Sequence, residues 1–303
     1  MKSLLICPSE RPSVRLLSET MPLATVPMLG ESLLEYWLSW SALSGVKQVL
    51  ISAHDRPDEV RSVVGDGARW GLAVKVIAES RELTPAEALL KYGTELGQGL
   101  PRNAIALLDH FPPLSQPAAP NATAGKEASL PGSLFSSYAD WFAAMLAWAP
   151  RALTPDRVGV HELRPGVWVG LHCRISRGAK LQAPCWLGKN VRVGAGATIG
   201  PEAIVEDGAV IETAATIQQS YVGQETLVGE FTQIAHSVAW GERLIDTRAG
   251  SVARVADPFV LCSLRRPARQ RAPDWLGRLS DLYLRNKEEA HELWKQLVMN
   301  KEG

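Results

Sequence analysis

The sequence predicts an α/β region, a partial doubly wound sheet, followed by an all-β coil and a C-terminal helix. Three observations carry that prediction. Strand-like and helix-like segments alternate through the first third of the 303 residues, the pattern of a parallel sheet with helices packed on it. From Val167 to Val238 an aliphatic residue recurs at every sixth position. Beyond Asp274, which suits a helix cap, Leu276, Leu279, Leu282, Ala290, Leu293, Trp294 and Leu297 mark the apolar stripe of a charged helical segment.

Leu4-Leu5-Ile6-Cys7 reads as a buried strand, followed by a polar loop through Met21. Residues 31–44 place Leu33, Leu34, Trp37, Leu38, Trp40 and Leu43 at helical spacing, and Gly45 stops that helix. A second strand runs over 46–51. Pro57 to Val64 opens with acidic residues that suit a helix dipole. Gly65-Asp66-Gly67 then turns the chain into a third strand over 73–78. Pro85, near a first turn, starts a helix through Leu96, and a fourth strand over 104–108 ends at Asp109. The stretch 112–132, with proline, alanine and serine throughout, reads as a flexible linker. Residues 133–148 read as one helix. The expected division is an α/β region over 1–111, the linker over 112–132, a helix and connector over 133–164, the coil over 165–263, and a basic connector with the terminal helix over 264–303.

In the coil the recurring residues are Val169, Ile175, Leu181, Leu187, Val193, Ile199, Val205, Ile211 and Ile217. After a slip of one residue the repeat resumes at Val222, Val228 and Ile234. Neither the helical nor the simple strand period explains this repeat. A coil of three short strands, eighteen residues per turn, does, because each aliphatic then stacks on its counterpart. Residues just before the aliphatics point outward in three columns. One reads Trp168, Trp186, Ile204 and Tyr221; the others, Arg174, Arg192, Val210, Leu227 and Lys180, Thr198, Thr216, Gln233, are more polar. Water should not bathe the first column. It is expected to form an interface covered by the first region, by the 133–148 helix or by a second subunit. The repeat resembles the hexapeptide-repeat, left-handed parallel β-helix family, which includes both acyltransferase cores and non-catalytic appendages.

Charged residues make up 21% and the formal net charge is zero, which favours neither nucleic acid nor an acidic membrane as partner and leaves self-association little opposed. Four cysteines, Cys7, Cys173, Cys185 and Cys262, have no pairing or metal spacing and read as small core residues in a reducing, cytoplasmic setting. The first apolar run is too short for a signal peptide, and no later run is long enough to span a bilayer. The basic run Arg265-Arg266-Pro267-Ala268-Arg269-Gln270-Arg271 reads as a solvated connector, with anionic lipid or polyphosphate binding as the alternative.

The stretch from Pro22 to Leu89 resembles the opening half of a sugar-1-phosphate nucleotidyltransferase of the mannose-1-phosphate guanylyltransferase or NDP-sugar pyrophosphorylase type. The resemblance rests on Val26-Pro27-Met28-Leu29-Gly30, Leu33-Leu34-Glu35-Tyr36, Ser44-Gly45-Val46, Gly65-Asp66-Gly67, Trp70-Gly71-Leu72 and Ala86-Glu87-Ala88-Leu89. It implies a nucleotide or sugar nucleotide as ligand and Mg²⁺ as cofactor if the protein is active. In that family a loop of the form G-G-x-G-T-R brings backbone N–H groups to the phosphates, a lysine adds charge, and an aspartate ending the fourth strand holds the metal. Here Pro8-Ser9-Glu10-Arg11-Pro12-Ser13 stands in place of the loop and Leu23 in place of the lysine. Pro8 and Pro12 lack the N–H that a phosphate would take. Asp109 alone matches a functional residue, as the metal ligand, while Arg11 and Arg15 are the candidates to bind substrate phosphate. No residue stands out as catalytic. A further stretch of about a hundred residues, the size of a small domain, would build the family's sugar-binding half, and this chain turns to its coil instead.

Three functions follow from these residues. The first is a motif-degenerate nucleotidyltransferase-like protein acting as a regulatory, binding or scaffold subunit of sugar-nucleotide or polysaccharide metabolism. The second is an active sugar-1-phosphate nucleotidyltransferase with a reduced site. The third is a hexapeptide acyltransferase using His172, His236 or His161 as base. One expectation needs no knowledge of function. Limited proteolysis should cut within 112–132 and leave the coil intact; resistance there, together with unfolding on deletion of the segment, would show that it is a structural element.

Overall fold

The computed structural model describes residues 1–96, 105–113, 133–152 and 159–265. The expected linker from residue 114 onward and the expected C-terminal helix lie outside them. Four strands, β1 (Lys2–Ile6), β2 (Gln48–Ala53), β3 (Ala73–Ala78) and β4 (Ile105–Leu107), form a parallel sheet in the order β3-β2-β1-β4. β1 lies inside the sheet and its Leu4, Leu5 and Ile6 are fully buried, as expected where helices cover both faces. The alternation of side chains sends Leu5 into one core and Leu4 and Ile6 into another.

The helices begin where their caps stand. Helix α1 (Leu33–Leu43) carries a capping box in which Ser32 accepts from the Glu35 N–H and Glu35 accepts from the Ser32 N–H. That box explains why the helix starts two residues after the expected Glu31. Helix α2 (Pro57–Val64) has Asp58 and Glu59 in its first turn, and α3 (Pro85–Leu96) is preceded by a reciprocal pair of bonds between Thr84 and Glu87. Helix α4 (Tyr138–Trp148) begins only where Ser137 accepts from the Asp140 N–H, five residues inside the expected 133–148. It buries Trp141, Phe142, Met145 and Trp148.

From Val167 onward short parallel strands pair in three sheets. Val167, Cys185 and Ala203 are register partners, as are Arg174, Arg192 and Val210, and Lys180, Thr198 and Thr216. The partners stand eighteen residues apart until Ile204 pairs with Tyr221, where the interval shortens by one. Inward aliphatics, with Cys185 and partly buried Cys173 among them, make a separate core. Antiparallel strands close the array. Val160–Arg164 lies on the first strand, Arg243–Asp246 follows the last, and Leu261–Ser263 pairs with Thr226–Val228. Among the described residues no helix is long and apolar enough to cross a membrane.

The apolar column meets the α/β lobe. Trp168, Trp186, Ile204 and Tyr221 retain 6, 1, 0 and 0% exposure and belong to the same core as α1 and α4. The Trp141 ring of α4 meets Tyr221 edge-on at 4.7 Å, and the Tyr221 hydroxyl donates to the Pro27 carbonyl at 3.1 Å. Burying the four side chains contributes on the order of 6–12 kcal/mol gross. The contact also has a polar centre. The fully buried Glu206 carboxylate of the coil accepts from the Leu29 N–H at 2.5 Å and the Gly30 N–H at 2.8 Å. Leu29 and Gly30 both have positive φ, 57° and 78°. They are the two central residues of the hairpin turn between Met28 and Glu31, where positive φ at both positions is the I′ pattern, and both N–H groups of that turn meet the carboxylate. Glu206→Ala would strip both buried donors of this acceptor, at about 1–3 kcal/mol each. Urea denaturation should show a loss of about 3 kcal/mol, with parallel strand content unchanged at the start of the transition; an unchanged midpoint would show that the docking does not depend on this contact. Trp186→Glu should likewise loosen the docking while leaving the coil folded.

Candidate functional site

The carboxyl ends of parallel strands are where open α/β sheets gather functional groups, because the loops diverge there. In this sheet those ends carry Cys7 to Arg11 after β1, His54 to Arg56 after β2, Glu79 to Glu82 beyond β3, and Asp109 with His110 after β4. The most tightly built part joins the first and third loops. Glu82 accepts from the Arg11 guanidinium through both oxygens, at 2.7 and 2.8 Å, and from the Ser9 N–H at 2.7 Å. Burial pushes the Glu82 carboxyl up, but the bonds from Arg11 and Ser9 outweigh it and hold the group below its ordinary value. The same bond raises Arg11 above the usual arginine range, with a smaller contribution from the charge on Asp109.

A second guanidinium is held in the neighbouring loop. Arg56 forks onto Asp55 with two bonds of 2.9 Å and donates to the Ser18 carbonyl at 2.6 Å. Its own backbone is left-handed, φ 42°. Between the two clasps Cys7 is buried, and burial, then Asp55 and Glu82, push its thiol up to about 12. That thiol stays protonated at neutral pH and is no nucleophile. Asp109 lies on the other flank, its Oδ1 2.7 Å from His110 Nδ1. Its backbone carbonyl takes the Leu134 N–H at 2.8 Å, and the His110 carbonyl takes the Trp37 indole N–H at 2.9 Å.

Of the residues singled out from sequence, Arg11 and Asp109 therefore share one site. Arg15 does not join them; it is exposed on the short helix Arg15–Ser18, and no described contact ties it to Arg11 or Asp109. The four interface residues lie together under the α/β lobe. Sequence reasoning missed Glu82, Asp55, Arg56 and Glu206. A signal for Glu206 was present, since the turn positions at its level in the coil otherwise read Gly170, Gly188 and Gly223. For Glu82 there was none, because its partner lies 71 residues away.

The donor set does not fit a Mg²⁺ ion as it stands. Glu82 and Asp55 are each engaged by a guanidinium, Asp109 is next to His110 and within the field of Arg11, and no group of three or more His, Cys, Asp or Glu is placed to hold a metal among the described residues. Where the hairpin Pro27–Ser32 approaches the coil, a cleft of about 360 Å³ opens, lined by Glu31, Glu35, Glu59, Gln224 and Arg265. Its three carboxylates oppose a polyphosphate.

Comparison with known proteins bears on the first lobe. No family model matches the chain. It is 32% identical over 98 residues to a glucose-1-phosphate thymidylyltransferase of Streptomyces griseus, a match covering 32% of this chain and 28% of that protein. It is 33% identical over 97 residues to a glucose-1-phosphate thymidylyltransferase of Streptomyces antibioticus, covering 32% and 27%. The N-terminal region is similar to sugar-1-phosphate nucleotidyltransferases. The parallel sheet with its helices fits that likeness. The chain spans less than a third of the length of these relatives.

Glu82 offers a pH test of the clasp. Its folded pKa lies below the ordinary value of 4.5, so the stability it contributes is full above that pH and fades as pH falls through the folded pKa. Glu82→Gln should cost about 1–2 kcal/mol at pH 7. The gap in melting temperature from wild type should close on acidification below about pH 4; a gap that persists at low pH would mean that packing, not charge, sets it.

Proposed function

We propose that this chain is a nucleotidyltransferase-like protein of sugar-nucleotide or polysaccharide biosynthesis, and that it serves as a regulatory, binding or scaffold subunit rather than as a synthase. The observation that carries this reading is the Glu82 carboxylate seated on the Ser9 N–H and the Arg11 guanidinium. Those are the donors a triphosphate would use in the loop after β1, and an internal anion already holds them. Pro8 and Pro12 supply no replacement N–H, and Leu23 supplies no charge. Each missing contact of this kind costs about 10²–10³ in rate, so several together remove useful turnover. The coil, read as a left-handed hexapeptide-repeat β-helix, then acts as the platform on which the lobe is displayed. The reading extends to a cytoplasmic protein that meets a second copy or a partner protein, with the domain division read from the sequence.

The second reading is an active sugar-1-phosphate nucleotidyltransferase, which converts an NTP and a sugar 1-phosphate to an NDP-sugar and pyrophosphate. The names of the relatives and the place of Asp109 at a strand end favour it. A hexapeptide acyltransferase has less support. His161 and His172 are exposed, and His236 Nε2 lies 3.0 Å from the Arg248 guanidinium.

Pyrophosphate release decides between the first two. With a panel of NTPs, sugar 1-phosphates and Mg²⁺, the wild-type chain should release none above background. Turnover that Asp109→Ala abolishes would establish the enzyme instead. Calorimetry adds a check on the clasp: Glu82→Ala should tighten nucleotide binding about tenfold by freeing Arg11, and unchanged affinity would show that the clasp guards no phosphate site.

A further inference from the structure

The coil carries a second group of cations on a face away from the docked column. Arg174 and Arg192 are register partners on adjacent parallel strands, so their exposed side chains leave the sheet side by side about 4.8 Å apart at the backbone. Like charges placed this way repel. Most other described arginines are neutralised. Arg11, Arg56, Arg61, Arg69, Arg81, Arg243, Arg254 and Arg265 each hold a carboxylate. Neither Arg174 nor Arg192 meets one among the described residues. Asp207, the acid near enough to act on Cys173, accepts from the Lys189 N–H at 2.7 Å instead.

Protection of a sheet edge explains part of this pattern. Arg174 lies on the outermost strand of its sheet, where a charge discourages pairing with another chain. Arg192 lies one strand further in, already paired on both sides, and gains nothing by that argument. The two guanidinia also do not stand on a flat surface. With His172, Asn190 and Cys173 they line a polar cleft of about 500 Å³. His172 and Asn190 occupy equivalent turns of successive rungs, both with left-handed backbone, φ 60° and 59°. The lining thus offers two forked donors, an amide and an imidazole, and no carboxylate.

From this juxtaposition we infer that the Arg174–Arg192 cleft binds the phosphate dianion of a small soluble molecule. Two guanidinium forks match the oxygens of a phosphate bidentately, and an anion between them turns their repulsion into attraction for both. The cleft is larger than a bare phosphate, so it has space for the organic group that carries one. This site is independent of the strand-end site around Arg11, which lies on the other lobe.

The experiment is calorimetry of the full chain with inorganic phosphate and with pyrophosphate, at low and moderate salt, on wild type and on R174A, R192A and K180A. Circular dichroism confirms folding, which the exposed positions should not disturb. The expected result is saturable binding that weakens at least tenfold in R174A and in R192A, weakens with salt, and stays unchanged in K180A. Absence of saturable binding in the millimolar range would overturn the inference. So would binding that survives both arginine changes or that falls equally in K180A. Flotation with phosphatidylcholine vesicles containing phosphatidic acid separates the sources: capture on vesicles without binding of free phosphate would replace the small molecule by a membrane surface.

Discussion

A buried carboxylate, Glu206, holds the two halves of this molecule in register. An isolated charge so deep in apolar surroundings would be costly, and it is stabilised by two backbone donors from the other lobe, Leu29 and Gly30. Both donors sit in a two-residue hairpin turn whose central residues take left-handed backbone. For glycine that is free of strain; for leucine it costs about 1–2 kcal/mol. A leucine in that state persists where its surroundings over-determine it. Fully buried Leu29, the Tyr221 hydroxyl on the neighbouring Pro27 carbonyl and the Glu206 carboxylate supply that surrounding here.

Hydrophobic burial and the carboxylate divide the work of docking. The column from Trp168 to Tyr221 supplies buried apolar area, and area is indifferent to small rotations. Hydrogen bonds to the two turn N–H groups are not, since they weaken steeply with misalignment. The aromatic residues of α4 fill the remaining space, with Trp141 against Tyr221 and its indole N–H 3.2 Å from the Met28 sulfur. The α/β lobe and the first face of the coil thereby share one continuous core, while the interior of the coil keeps its own. The hairpin that carries part of the nucleotidyltransferase resemblance is thus occupied in holding the coil.

At the strand ends the same economy of charge prevails. Arg11 and Arg56 each close on a carboxylate, and both pairs are only partly exposed. The loop after β1 is shaped by this pairing, since Ser9 and Arg11 both turn to Glu82. A loop with glycines would present free N–H groups to a ligand; this one spends its donors internally. The cleft at Arg174 and Arg192 presents the contrast, with cations left facing solvent.

Much of the architecture was legible in the residues alone. The six-residue repeat announced the stacked strands, because only an eighteen-residue register lines up Val169, Leu187 and Val205, and even the shortening of one interval at Ile204 and Tyr221 was written in the spacing. Helices α2 and α3 have the expected ends because Pro57 and Pro85 mark first turns by local chemistry. Arg11 and Asp109 were singled out through the family resemblance, and they stand in the loops that follow β1 and β4. Partner choice was not legible. Which acid would meet Arg11, what would cover the tryptophan column, and that Glu206 would cross 177 residues to reach Leu29 all depend on how the lobes pack. Periodicity and capping are properties of neighbours in sequence, and a chain carries them wherever it folds. Long-range charge pairing and docking are set by the distances between surfaces, and those exist only once the tertiary structure has formed.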